Sequence, residues 1–184
     1  IRRFAPRGIL LSGGPASVEA EGSPRCDAFV FEAGVPVLGI CYGLQLLSKL
    51  LGGRVDRSAH REYGAAEVEV LTARGPLAAF SQGERVKVWM SHGDRVDALP
   101  PDFESIGRSG NSPFAAAAHR TRPIYGLQFH PEVVHTPMGK EMLRAFLFTD
   151  CKVSGSWTMK GFIEEAQEAI RRQVGEHGRV ICGL

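Results

Sequence analysis

Gly39-Ile40-Cys41-Tyr42-Gly43 is the segment of this sequence best suited to covalent chemistry. Glycines flanking such a position let a strand turn abruptly into a helix and present the middle side chain as a nucleophile. A thiol at a helix N-terminus feels the positive end of the helix dipole and nearby unpaired N–H groups, so the pattern predicts a lowered Cys41 pKa. The competing reading is a small buried hydrophobe, as most free cysteines are. Further on, His130-Pro131-Glu132 could supply a base with its orienter. Residues two apart in an extended segment point the same way, so Glu132 can hold one imidazole nitrogen and leave the other facing Cys41. Taken singly, His130 reads equally as a surface histidine and Glu132 as a solvated charge. Together with Cys41 they predict cleavage of a carboxamide through a covalent intermediate.

Other polar segments could build the pocket around them. Ser12-Gly13-Gly14-Pro15 offers backbone N–H groups for an oxyanion or a phosphate, or is only a turn; no Gly-Lys-Ser/Thr follows, which argues against a nucleotide phosphate loop. Ser91-His92-Gly93-Asp94 is expected at the end of a strand, where Gly93 would let a ligand approach the backbone, with a plain turn as the rival account. Gln45, one helical turn after Cys41, would face the same mouth. His60-Arg61-Glu62-Tyr63-Gly64 reads as a polar loop, suited to contact with another domain or to a wet surface.

The elements that must position these groups alternate along the chain. Apolar strands are predicted at Gly8 to Ser12, Val35 to Ile40, Phe114 to Ala118 and Ile124 to Phe129, with alternating strands at Ala66 to Val70 and Val86 to Met90. Helices are predicted over Asp27 to Ala33 and after Cys41, where Leu44, Leu47, Leu50 and Leu51 recur at helical spacing until Gly52-Gly53. A third carries Met142, Leu143, Phe146 and Leu147 and closes a domain near Thr149. The order strand, tight turn, helix makes half of a parallel α/β unit. Beyond it, Cys151 to Ser156 reads as a linker. Met159, Phe162, Ala166, Ile170 and Val174 stripe a helix with Glu168 and Arg172 paired on its surface, and Arg179 to Cys182 begins an apolar strand. The fold class expected is therefore α/β: an open, mixed, largely parallel sheet with flanking helices and a C-terminal linker helix. Residues 1–149 form the main domain and residues 150–184 a linker with the start of another.

With 184 residues, 43% hydrophobic content and a net charge of +2, the chain suits one substantial core, and its bulk charge calls for neither nucleic acid nor an anionic membrane as a partner. No apolar run approaches the roughly 20 residues of a membrane span, and Ile1 to Pro6 lacks the apolar core of a signal peptide, so a cytoplasmic location is expected. Cys26, Cys41, Cys151 and Cys182 form no Cys-x-x-Cys pair, which favours reduced thiols over disulfides or a metal site.

Gly39-Ile40-Cys41-Tyr42-Gly43-Leu44-Gln45 together with His130-Pro131-Glu132 resembles the class I (triad-type) glutamine amidotransferases over residues 8 to 148, with Leu44 where that family often has methionine. Within it, His60 to Gly64, Ser91 to Asp94 and His130 to Thr136 look like the GMP synthetase branch. So do Ser156 to Met159 and Val180 to Leu184, which resemble the entry to that branch's ATP pyrophosphatase domain. The resemblance implies a flavodoxin-like three-layer fold and a first strand preceding residue 1, with the synthetase part beyond Leu184. It implies Cys41, His130 and Glu132 as catalytic residues and backbone N–H groups of Gly14 and Tyr42 as the oxyanion hole. Gly13, Gln45, Ser91, His92, Gly93 and Asp94 are implied to hold glutamine. It also implies no cofactor for glutamine hydrolysis. For the whole enzyme it implies ATP, magnesium, XMP and a homodimer. The residues alone leave open another amidotransferase's glutaminase, a γ-glutamyl hydrolase or cysteine peptidase, and a non-catalytic module that binds a partner synthetase.

Overall fold

The computed structural model of the chain describes residues 1–181, and of residues 58–61 the backbone only. It divides into two compact units, Ile1–Lys152 and Val153–Leu184. In the first, β1 (Ile9–Leu11), β2 (Val37–Ile40), β3 (Arg54–Val70), β4 (Arg85–Ala98), β5 (Phe103–Arg108), β6 (Ala116–His119) and β7 (Ile124–Leu127) form one sheet in the order β1-β2-β7-β6-β5-β3-β4. The helices are α1 (Phe29–Glu32), α2 (Tyr42–Leu50) and α3 (Gly139–Arg144), the last running into a π-helical turn over Ala145–Asp150.

β2 and β7 are buried at every position, as apolar strands in the interior of a sheet covered on both faces should be. β1, β2 and β7 pair in parallel, with Leu11 opposite Gly39 and Ile40 opposite Leu127. The remaining pairings are antiparallel, so the sheet is mixed as expected, but its parallel part is confined to these three strands. Helices cover both faces. Leu44 and Leu47 of α2 are fully buried on one, in a cluster with Val37, Val55, Val96 and Ile124. On the other, Tyr125 meets Phe146 edge to face with ring centroids 6.3 Å apart, and its hydroxyl donates to Asp150 at 2.9 Å. Each fully buried leucine contributes about 1.5–3 kcal/mol relative to exposure.

Three local expectations are corrected. The His60 to Gly64 segment is not a loop: it lies within β3, although the side chains of His60 and Arg61 fall outside the described residues. Ser91 to Asp94 does not end a strand but lies inside β4, where the pairing jumps from Arg57–Asp94 to Glu62–His92. The expected face of the third helix buries Met142 and Phe146 but leaves Leu147 38% exposed.

In the second unit, α4 (Met159–Val174) is capped by Thr158, whose side chain accepts from the Gly161 amide at 3.1 Å, and ends at Gly175 with φ +66°. Its i,i+4 ion pair is Lys160–Glu164 at 4.0 Å rather than Glu168–Arg172. Val180 and Ile181 are not in a strand, and Cys182 lies outside the described residues. Among the described residues no helix is long and apolar enough to cross a membrane.

Candidate active site

β1, β2 and β7 are neighbours and run the same way, so their C-terminal ends share one edge of the sheet, the usual place for a site in such a fold. β1 leads into Ser12 to Pro15, β2 into Cys41, and β7 into Gln128 to Glu132. A cleft of about 620 Å³ opens there, lined by Gly14, Cys41, Gln45, Arg57, Tyr63, Ser91, His92, Gly93, Asp94 and His130 among others. That volume lies in the range of small-molecule sites, about 300–1,000 Å³.

Cys41 takes φ +50° and ψ −103°, a conformation that L residues rarely adopt, at the junction of β2 and α2. The flanking glycines are required by contact. A Cβ on Gly39 would lie 2.6 Å from the backbone of Gly43, and one on Gly43 would lie 2.2 Å from the Leu11 carbonyl oxygen of β1. The Cys41 amide donates to the Leu127 carbonyl at 2.6 Å, tying the turn to β7. A Cβ on Gly13 would come within 2.8 Å of His130 Cε1 and 3.7 Å of Cys41 Cβ, so the Gly13 backbone sits against both side chains.

His130 Nδ1 and Glu132 Oε1 are 2.7 Å apart, the contact expected from their spacing. The His130 backbone is held on both sides. Its amide donates to the Trp89 carbonyl at 3.0 Å, and its carbonyl accepts from the buried Thr136 hydroxyl at 2.6 Å. The same hydroxyl accepts from the Trp89 amide at 3.0 Å. Gln45 Nε2 donates to the Asp94 carbonyl at 2.8 Å, which also lies 3.0 Å from His92 Nδ1.

The expected low pKa of Cys41 is not found. The side chain is 3% exposed, and burial pushes the thiol up to about 11, with the Glu132 charge adding to the rise; the Tyr42 amide and the Gln128 side chain oppose it. Desolvation outweighs the helix terminus here. Cys41 alkylation by iodoacetamide, followed by peptide mass spectrometry, is therefore expected to accelerate about tenfold per pH unit from pH 7 to 10, because only the thiolate reacts. A plateau below pH 8 would show instead a thiolate already stabilised in the free chain.

Sequence spacing did not single out Gln128. It is 1% exposed and its Nε2 lies 3.9 Å from Cys41 Sγ. The available signal was one amide side chain inside an otherwise apolar run just before His130. Thr136 and Glu62 also escaped notice as individual site residues.

A thiol at a strand-to-helix turn, beside an imidazole fixed by a carboxylate, can attack an amide carbon and hand on its proton. Residues 2–149 match the family model for glutamine amidotransferase class-I, and the chain belongs to that family. Its relatives are more particular. The chain is 50% identical over 184 residues to "GMP synthase [glutamine-hydrolyzing]" of Heliobacterium modesticaldum, and 51% identical over 185 residues to the protein of that name from Mesorhizobium japonicum. Both alignments cover all of this chain, which spans 35% of the length of each relative. Among solved structures, a protein from Thermoplasma acidophilum described as belonging to a GMP synthase superposes with a TM-score of 0.62 at 31% identity. That match covers 76% of this chain and 64% of the other.

Proposed function

We propose that this chain hydrolyses the side-chain amide of glutamine, with Cys41 as nucleophile, His130 as proton carrier and Glu132 as its orienter. The observation that supports it most is the placing of Cys41 and of the hydrogen-bonded His130–Glu132 pair at the ends of two hydrogen-bonded parallel strands. With a thiol pKa near 11, the proton leaves Cys41 as the sulfur attacks rather than beforehand. Nδ1 of His130 faces Glu132, so Nε2 is the nitrogen that accepts it. The carbonyl oxygen becomes an oxyanion beside the backbone amides of Gly14 and Tyr42, neither of which is used by another backbone carbonyl among the described residues. His130 returns the proton to the amide nitrogen, the C–N bond breaks, and ammonia leaves a thioester on Cys41. Water, deprotonated by His130, attacks the thioester; glutamate departs and the thiol regains its proton. Gln45 and the Ser91 to Asp94 wall hold the amino and carboxylate ends of glutamine.

The full-chain match to GMP synthases supports a destination for the ammonia: amination of XMP to GMP with ATP, in a synthetase part of the same polypeptide. Among the described residues no three His, Cys, Asp or Glu side chains come together to hold a metal ion.

The test is release of ammonia and glutamate in equal amounts from glutamine, with an electrophilic glutamine analogue mapped by mass spectrometry. The adduct is expected on Cys41. Hydrolysis with no adduct there, or a preference for γ-glutamyl peptides over free glutamine, would overturn the assignment.

A further inference from the structure

Glu62 is not among the residues that line the cleft; it opens into a neighbouring depression shared with Met90, Ser109 and Asn111. Its position is set by the strand register, which places it directly across from His92. The two side chains are 9% and 1% exposed, and Glu62 Oε2 lies 3.0 Å from His92 Nε2. The carboxylate thus closes the Nε2 end of the His92 ring inside the protein. The carboxylate is itself held by the Ser112 hydroxyl at 2.6 Å and the Ser109 hydroxyl at 3.5 Å. Burial raises its pKa, but contacts from His92 and Ser112 outweigh that and keep it below the ordinary carboxylate value.

His92 passes this constraint on. Its Nδ1 faces the Asp94 carbonyl at 3.0 Å, the same oxygen that receives Gln45 Nε2 at 2.8 Å. The Ser91 carbonyl is 3.6 Å from Cys41 Sγ. The Glu62 carboxylate and the Asp94 carbonyl thus face the two ring nitrogens from opposite ends and fix the orientation of the imidazole between them. Without the carboxylate one end of the ring is unheld, and the wall from Ser91 to Asp94 loses its anchor.

We propose that Glu62 is a positioning residue for the substrate-facing wall, acting through His92 to fix the Asp94 carbonyl and the Gln45 amide. The proposal rests on the reading of this cleft as the glutamine site.

Glu62→Gln keeps the shape and the acceptor for Ser112 while removing the charge. Labelling of Cys41 by the electrophilic glutamine analogue is expected to slow about tenfold or more, and KM for glutamine to rise by a similar factor with kcat within about threefold. Iodoacetamide, which needs no glutamine pocket, should label Cys41 within about twofold of the wild-type rate at roughly pH 9. Ser112→Ala should move the analogue rate the same way by about threefold, and it decides the matter if Glu62→Gln does not fold. Equal slowing with both reagents, or slowing with neither, would overturn the proposal. A wild-type chain that the analogue leaves unlabelled would overturn the glutamine assignment beneath it instead.

Discussion

Cys41→Ala and His130→Ala are each expected to lower glutamine hydrolysis by on the order of 10⁴-fold, and the double variant to be no worse than either. In the proposed reaction the sulfur is the atom that bonds to substrate, and a thiol whose burial pushes its pKa up to about 11 keeps its proton at neutral pH until a base takes it during attack. Removing either partner therefore removes the same step, which is why the losses should not add. Glu132→Gln should cost less, about 10–100-fold, because its side chain is 43% exposed and water can replace part of its hold on His130. Ammonia release with circular dichroism as a folding control measures all four. Additive losses in the double variant would mean that the two residues serve separate steps.

Gly39→Ala should damage stability and activity together. Its Cβ would meet three backbone atoms, Gly43 C and O at 2.6 Å and Leu44 N at 2.8 Å, none of which can swing aside as a side-chain end could. An overpacking cost of about 1–3 kcal/mol corresponds to a drop in melting temperature of roughly 2–12 °C for a chain of this size. Gly110→Ala is the control: a Cβ there meets nothing within 4 Å, and the change should stay within about 0.5 kcal/mol. Thermal melts of the two variants suffice, and an unchanged melting temperature for Gly39→Ala would contradict the steric account of the turn.

The Gly39 to Gly43 turn and the His130–Glu132 contact were legible in the sequence because both depend on local geometry. Glycines two residues either side of a thiol, and a two-residue spacing at a strand end, carry their meaning without tertiary information. β2 and β7 were legible as continuous apolar runs. β3 was legible only over Ala66 to Val70, since the polar run from Arg57 to Gly64 breaks the alternation that marks a strand, and its partner across the sheet is what keeps that part extended. Ser91 to Asp94 resembled a turn for the same reason. The Cys41 pKa was not legible because a motif specifies where a side chain begins but not how much protein covers it. Gln128, Thr136 and Glu62 are placed by contacts with residues 87, 47 and 50 positions away in sequence, respectively, which no spacing rule reaches.

The parallel trio β1, β2 and β7 also divides labour in a way that bears on how such a site can change. Thiol and imidazole hang from one short, buried ladder, so their mutual distance is a property of backbone pairing that surface mutation barely touches. The wall from Ser91 to Asp94 belongs instead to the long β3–β4 hairpin, which is anchored at the far edge of the sheet. On the proposed function, reaction and recognition thus sit on separately variable parts, and drift in the hairpin can retune what enters the cleft while the chemistry beneath it stays fixed.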